Sequence, residues 1–118
     1  MINIYCIDVS GSIPYNKLFE VIKQVIKEFD KCILFASSAS KVYKANEILL
    51  SVKDDTIYYL IMLLEIRLGT NAECCFPVID KYINDHSIKE YSICLISDMY
   101  IPQTQIEKFY RTIDIMEM

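Results

Sequence analysis

Ile2-Asn3-Ile4-Tyr5-Cys6-Ile7-Asp8-Val9-Ser10-Gly11-Ser12 is an isoleucine-rich run that ends in three oxygen-bearing side chains at alternate positions. Ile2 to Ile7 is short and apolar at odd and even places alike, which predicts the central strand of a parallel sheet covered on both sides. The period then changes. Leu18, Val21, Ile22, Val25, Ile26 and Phe29 fall on one helical stripe, so a helix is expected over Tyr15 to Phe29, with Pro14 at its start. Asp8, Ser10 and Ser12 therefore leave the strand end together, and Gly11 is expected to ease the sharp entry into the helix.

The same alternation continues along the chain. Cys32 to Ala36 reads as a second strand, Ser37 to Ser40 as a small-residue turn and Lys41 to Ala45 as a third strand, which so short a connection forces to run antiparallel. Asp54 and Asp55 favour a helix N-terminus through its dipole, and that helix is expected to run to about Arg67, where Gly69 stops it. Its apolar window, Ile57 to Leu64, reads as buried and is too short for a membrane span. Glu73 to Ile83 is a further expected helix with Pro77 in or just after its first turn, Tyr91 to Ile96 a fourth strand, Gln103 to Thr112 a last helix, and Ile113 to Met118 a fifth strand. Strand and helix alternate, so the fold class is α/β: one Rossmann-like domain over 1–118, mainly parallel, with strand order 3-2-1-4-5, strand three an antiparallel edge, and helices on both faces.

Bulk composition narrows the function. The 118 residues are 53% hydrophobic and 24% charged, enough for one buried core and too few for two. A net charge of −4 with no run of Lys and Arg argues against a nucleic-acid or anionic-lipid surface. Lys17, Lys23, Lys27 and Lys31 recur near helical spacing, but Glu20 and Glu28 lie among them, as on a solvated helix face. The five cysteines, Cys6, Cys32, Cys74, Cys75 and Cys94, are an odd set that fits buried reduced thiols in a cytoplasmic protein. The first strand begins at Ile2, which leaves no space for a leader peptide.

Magnesium wants about six oxygen ligands and usually keeps several waters, so one carboxylate with several hydroxyls meets its needs. In open α/β sheets ligands gather outside the carboxyl ends of the strands, where strand order reverses. With order 3-2-1-4-5 that point lies between strands one and four, where Asp8 and Asp98, the latter in Leu95-Ile96-Ser97-Asp98, both emerge. The hydroxyl-bearing loop Gly69-Thr70-Asn71 holds the other of the only two glycines.

These motifs together resemble the metal-ion-dependent adhesion site of von Willebrand factor A (VWA) domains. In that family an Asp-x-Ser-x-Ser motif supplies a carboxylate and two direct hydroxyl ligands, here Asp8, Ser10 and Ser12. A later threonine, matched by Gly69-Thr70, and an aspartate after the fourth strand, matched by Asp98, complete the set. Met99 stands where the family commonly has glycine. Ile33 to Phe35 followed by Ala36-Ser37-Ser38 is also similar to the family's second strand. Most VWA domains continue through a further helix and strand, so the chain resembles a reduced member of the group. The resemblance implies a Mg2+ site, with Mn2+ or Ca2+ as alternatives, that binds an Asp or Glu side chain of a protein partner. It also implies work inside assemblies, such as those built on AAA+ ATPases.

Smaller features have plainer readings. Tyr100, after Asp98, and Asn71 are the candidate partner-contacting residues at the rim; Asn71 and Glu73 are also expected to cap a helix. His86 reads as a solvated loop residue, and most tyrosines as half-buried packing residues. The fifth strand is expected at a sheet edge that pairs with a partner or, in a homodimer, with a second copy. The competing function is a Mg2+-dependent phosphatase resembling haloacid dehalogenases, with Asp8 as nucleophile. It wants an acid two positions on, where Ser10 stands, and a paired carboxylate beside Asp98.

Overall fold

β1 (Ile2–Asp8) owes its central place to burial on both faces: Tyr5 and Ile7 enter one apolar layer, while Ile4 and Cys6 enter the other. In a strand, alternate side chains point to opposite faces, so a run that is apolar throughout needs cover on both. The computed structural model describes all of residues 1–118. The other strands are β2 (Lys31–Phe35), β3 (Tyr43–Lys44), β4 (Tyr91–Ser97) and β5 (Arg111–Asp114), in sheet order β3-β2-β1-β4-β5. β1 pairs parallel with β2 and β4, β5 is parallel to β4, and β3 is the antiparallel edge, as the sequence predicts.

The helices are α1 (Tyr15–Val25), α2 (Ala45–Lys53), α3 (Ile57–Met62), α4 (Cys75–Asp85) and the short α5 (Gln103–Ile106). α1, α2 and α3 cover one face through Leu18, Ile22, Ile48 and Ile57; α4 and α5 cover the other through Cys75, Ile79 and Ile106. All five cysteines are free thiols, four of them buried, and burial pushes the Cys32 thiol up to about 12. No helix is long and apolar enough to cross a membrane.

Several elements differ from their predicted extents. α1 ends at Val25, not Phe29, because the Asp30 carboxylate takes the Lys27 N–H at 2.8 Å and turns the chain into β2; Phe29 is left 81% exposed. α2 was not predicted at all. Its signal is Ala45, Ile48, Leu49 and Val52 at i, i+3, i+4 and i+7, and Glu47 opens it by accepting the Lys44 N–H at 3.2 Å. Asp54 closes α2 instead of opening the next helix, and Asp55 breaks the chain with φ +57°.

α3 is correspondingly short, and it is not a buried helix. Ile57, Ile61 and Leu64 face inward, while Tyr59, Met62 and Leu63 are 62–75% exposed. Gln103 to Thr112 is helical only to Ile106, so β5 begins two residues earlier than predicted; it also ends at Asp114 instead of Met118, with its outer edge unpaired. Four tyrosines, Tyr58, Tyr59, Tyr91 and Tyr110, are exposed instead of half-buried.

Candidate metal centre

Asp8 is the last residue of β1 and Asp98 follows the last residue of β4, so parallel pairing delivers both carboxylates to one sheet edge at the reversal of strand order, with Asp8 opposite Ser97. Both are buried. The Ser10 N–H donates to Asp8 Oδ1 at 2.9 Å, and Ser97 Oγ donates to Asp8 Oδ2 at 2.8 Å. Ser97 Oγ in turn accepts the Met99 N–H at 3.3 Å, and Asp98 Oδ1 accepts the Tyr100 N–H at 3.3 Å.

A row of oxygens then leads outward. Ser10 Oγ lies 3.4 Å from Ser12 Oγ, and Ser12 Oγ lies 3.4 Å from Asp98 Oδ2. These separations are long for hydroxyl hydrogen bonds. They also exceed the about 2.9 Å between adjacent oxygens of an octahedron with bonds of 2.0–2.1 Å, so a bound Mg2+ would have to draw these oxygens closer. Neither carboxylate takes part in a salt bridge; the three in the chain join Lys23–Glu20, Lys81–Asp85 and Lys108–Glu73. Burial, with Asp98 nearby, pushes the Asp8 carboxyl above the usual carboxylate range, against the pull of its Ser10 and Ser97 hydrogen bonds. A divalent cation would supply the missing positive charge, so the donor set fits one. No three His, Cys, Asp or Glu side chains converge anywhere in the chain; hydroxyls and water would have to provide most of the oxygens.

The structure thus brings Asp8, Ser10, Ser12 and Asp98 together. Thr70 lies on the same edge, since the Asn71 N–H donates to the Ala36 carbonyl just beyond β2 at 2.8 Å, while Val9 N–H donates to Phe35 O at 2.9 Å beside it. None of the site's side-chain hydrogen bonds reaches Thr70. Asn71 Oδ1 accepts the Glu73 N–H at 3.1 Å and so caps the 3-10 turn Ala72–Cys74, while Tyr100 stands 80% exposed at the rim. His86 is exposed, its Nδ1 3.0 Å from the Tyr82 carbonyl oxygen, remote from the site.

Two features were not foreseen. Ser97 is completely buried and holds Asp8; its signal is the polar residue directly before Asp98 at a strand end otherwise apolar. Gly11 is not needed for a tight turn, because its backbone is not left-handed and a Cβ there would meet nothing within 4 Å. Gly69 is, with φ +78°. No protein-family model and no curated protein matches the chain.

Proposed function

We propose that the chain is a VWA-like, divalent-cation-dependent protein-interaction module. Asp8, Ser10, Ser12 and Asp98, with Thr70 from the neighbouring loop, would hold Mg2+, and the partner would present an Asp or Glu side chain. The observation that carries this reading is the buried Asp8–Asp98 pair with no cationic side chain of its own. When bound, the metal supplies an electrophilic position that an acidic side chain can complete. Ser10 and Ser12 keep the site's own negative charge low, so the cation retains positive charge for the partner, and the Ser97 hydroxyl fixes the Asp8 carboxylate from behind.

The surroundings suit a protein ligand. Gly11 and Tyr15 line one side of a groove whose other wall is Ile66, Arg67 and Leu68, and Leu68 is 86% exposed. Contiguous exposed apolar surface of this kind marks interaction sites. The outer edge of β5 offers main-chain donors and acceptors to a further strand, from the partner or from a second copy of the chain.

Calorimetric titration with Mg2+ and Mn2+ tests the reading. Binding is expected in the wild type and absent in Asp8→Ala and Asp98→Asn, each of which stays folded. Mg2+ affinity unchanged in Asp8→Ala would refute it. Mg2+-dependent phosphatase turnover lost in Asp8→Asn would instead favour the nucleophilic role for Asp8.

A further inference from the structure

Far from the Asp8 site, the fold gathers positive charge that is scattered in the sequence. Lys31 opens β2 and Lys44 closes β3, and the two are direct partners across the antiparallel pair. Residues directly opposite in such a pair share one face of the sheet, and like charges placed so are destabilising. The face is that of α4, because Ile33 and Phe35, in step with Lys31, pack in the same layer as Ile79. Lys81, from α4, lines the same cavity of about 490 Å3, and Lys41 stands at its rim.

The cavity's own negative charge is small. Asp85 is the one carboxylate that lines it, and it pairs with Lys81 at 3.0 Å. Lys31, Lys41 and Lys44 take part in no salt bridge; Lys41 lies 5.3 Å from the Tyr43 ring centre. The Tyr43 ring packs in the other layer, so the Lys41 ammonium is turned from the α4 face, and two unpaired lysines, Lys31 and Lys44, line the cavity beside Lys81 in a chain whose net charge is −4. Between them the wall is apolar and aromatic, made by Val42, Val78 and Tyr82, whose ring packs on His86 with centroids 4.2 Å apart. An apolar body with a few convergent charged groups is the make-up of a small-molecule site, and the volume falls in the usual range.

We propose that this cavity binds a small organic polyphosphate, with the phosphates among Lys31, Lys44 and Lys81 and a flat apolar body against Val78 and Tyr82. Lysine recognises phosphate as a point charge, without the fixed fork geometry that arginine imposes, and the cavity lining contains no arginine. The site shares no residue with the proposed metal centre, so neither stands on the other.

Titration of the full chain with ATP, pyrophosphate and adenosine tests it, with EDTA present so that no divalent cation bridges ATP to Asp8. ATP is expected to bind most tightly, pyrophosphate more weakly and adenosine least, with affinity falling as salt rises. Lys44→Gln/Lys81→Gln alters two exposed side chains and should weaken ATP several-fold, up to about thirtyfold, as loss of two exposed charge contacts implies. Lys23→Gln/Lys53→Gln, which lowers net charge equally outside the cavity, should leave ATP binding within about twofold, since distant exposed charges are screened. Matching thermal unfolding of both variants would show them folded. No ATP binding at millimolar concentration, or equal loss in both double variants, would overturn the proposal. So would tighter binding of poly-glutamate or single-stranded RNA than of ATP, which would make the cavity part of a macromolecular interface.

Discussion

Ser97 Oγ donates to Asp8 Oδ2 at 2.8 Å, joining the last residue of β4 to the last residue of β1 beneath the candidate metal centre. Parallel pairing sets Ile7 opposite Ile96, so the next residues, Asp8 and Ser97, meet at the strand ends without any loop to position them. The carboxylate is therefore oriented by the sheet itself. A site built on strands is held more rigidly than one built on loops alone.

Ser97→Ala removes two hydrogen bonds at once, the one to Asp8 and the one from the Met99 N–H. No buried side-chain N or O lacks a partner in the native chain, and the change creates such an atom at Asp8. An unpaired buried polar group costs about 1–3 kcal/mol, so Ser97→Ala is expected to lose stability in that range in urea denaturation, with Ser97→Thr losing less. Equal stability of wild type and Ser97→Ala would remove Ser97 from its positioning role.

The raised Asp8 carboxyl gives the metal-free protein a pH dependence of definite sign. Its folded pKa lies above the unfolded value of about 4 because burial disfavours the charged form. The Asp8 contribution to stability is thus fully present below about pH 4 and is lost as pH rises through the folded pKa. Relative to Asp8→Asn, whose amide does not titrate, the wild type in EDTA should become progressively less stable across that window. Mg2+ requires the ionised carboxylate and should reverse the trend at neutral pH. Denaturation midpoints of both proteins from pH 4 to 8, with and without Mg2+, check this; a difference that does not change with pH would contradict it.

What the sequence makes legible follows the range of each interaction. β1 and α1 are readable because a run from Ile2 to Ile7 and a stripe from Leu18 to Ile26 are local patterns, and the antiparallel place of β3 beside β2 follows from the short connection between them. α2 carried the same kind of signal, but a strand expected to run through Ala45 obscured its first position. Ile57 to Leu64 misleads for a different reason. An apolar outer face and a buried helix have the same composition, and only the packing of Ile57 and Ile61 against the sheet tells them apart. Ser97 and the lysine cavity are not local at all: Ser97 finds Asp8 across 89 residues, and Lys31, Lys44 and Lys81 are brought together by strand pairing and by α4.

Met99 occupies the left-handed region with φ +67°, where the VWA pattern commonly has glycine. A side chain there costs roughly 1–2 kcal/mol. Glycine relieves that strain but adds about 0.4–1 kcal/mol of unfolded-state entropy, and it gives up the packing of a side chain that is 36% exposed. Met99→Gly is therefore expected to leave stability unchanged or raise it by up to about 1 kcal/mol, whereas at an ordinary φ a glycine costs about that much. A loss greater than about 1 kcal/mol in chemical denaturation would show that the Met99 side chain matters more than its backbone strain.

The two glycines give a paired prediction about the loop that carries Thr70. Gly69 has φ +78°, and a Cβ there would lie 2.8 Å from Ser37 Oγ, whose hydroxyl donates to the Leu68 carbonyl at 2.6 Å. Gly69→Ala must therefore meet an unfavourable backbone conformation and also push Ser37 off that bond, at a cost of about 1–2 kcal/mol or more. Gly11→Ala meets nothing within 4 Å at an ordinary φ, so its stability should stay within about 0.5 kcal/mol of wild type. Because Thr70 adjoins Gly69, the first change should also weaken Mg2+ binding in calorimetry. If Gly69→Ala loses stability yet keeps full Mg2+ affinity, Thr70 is not a ligand and the site rests on Asp8, Ser10, Ser12 and Asp98 alone.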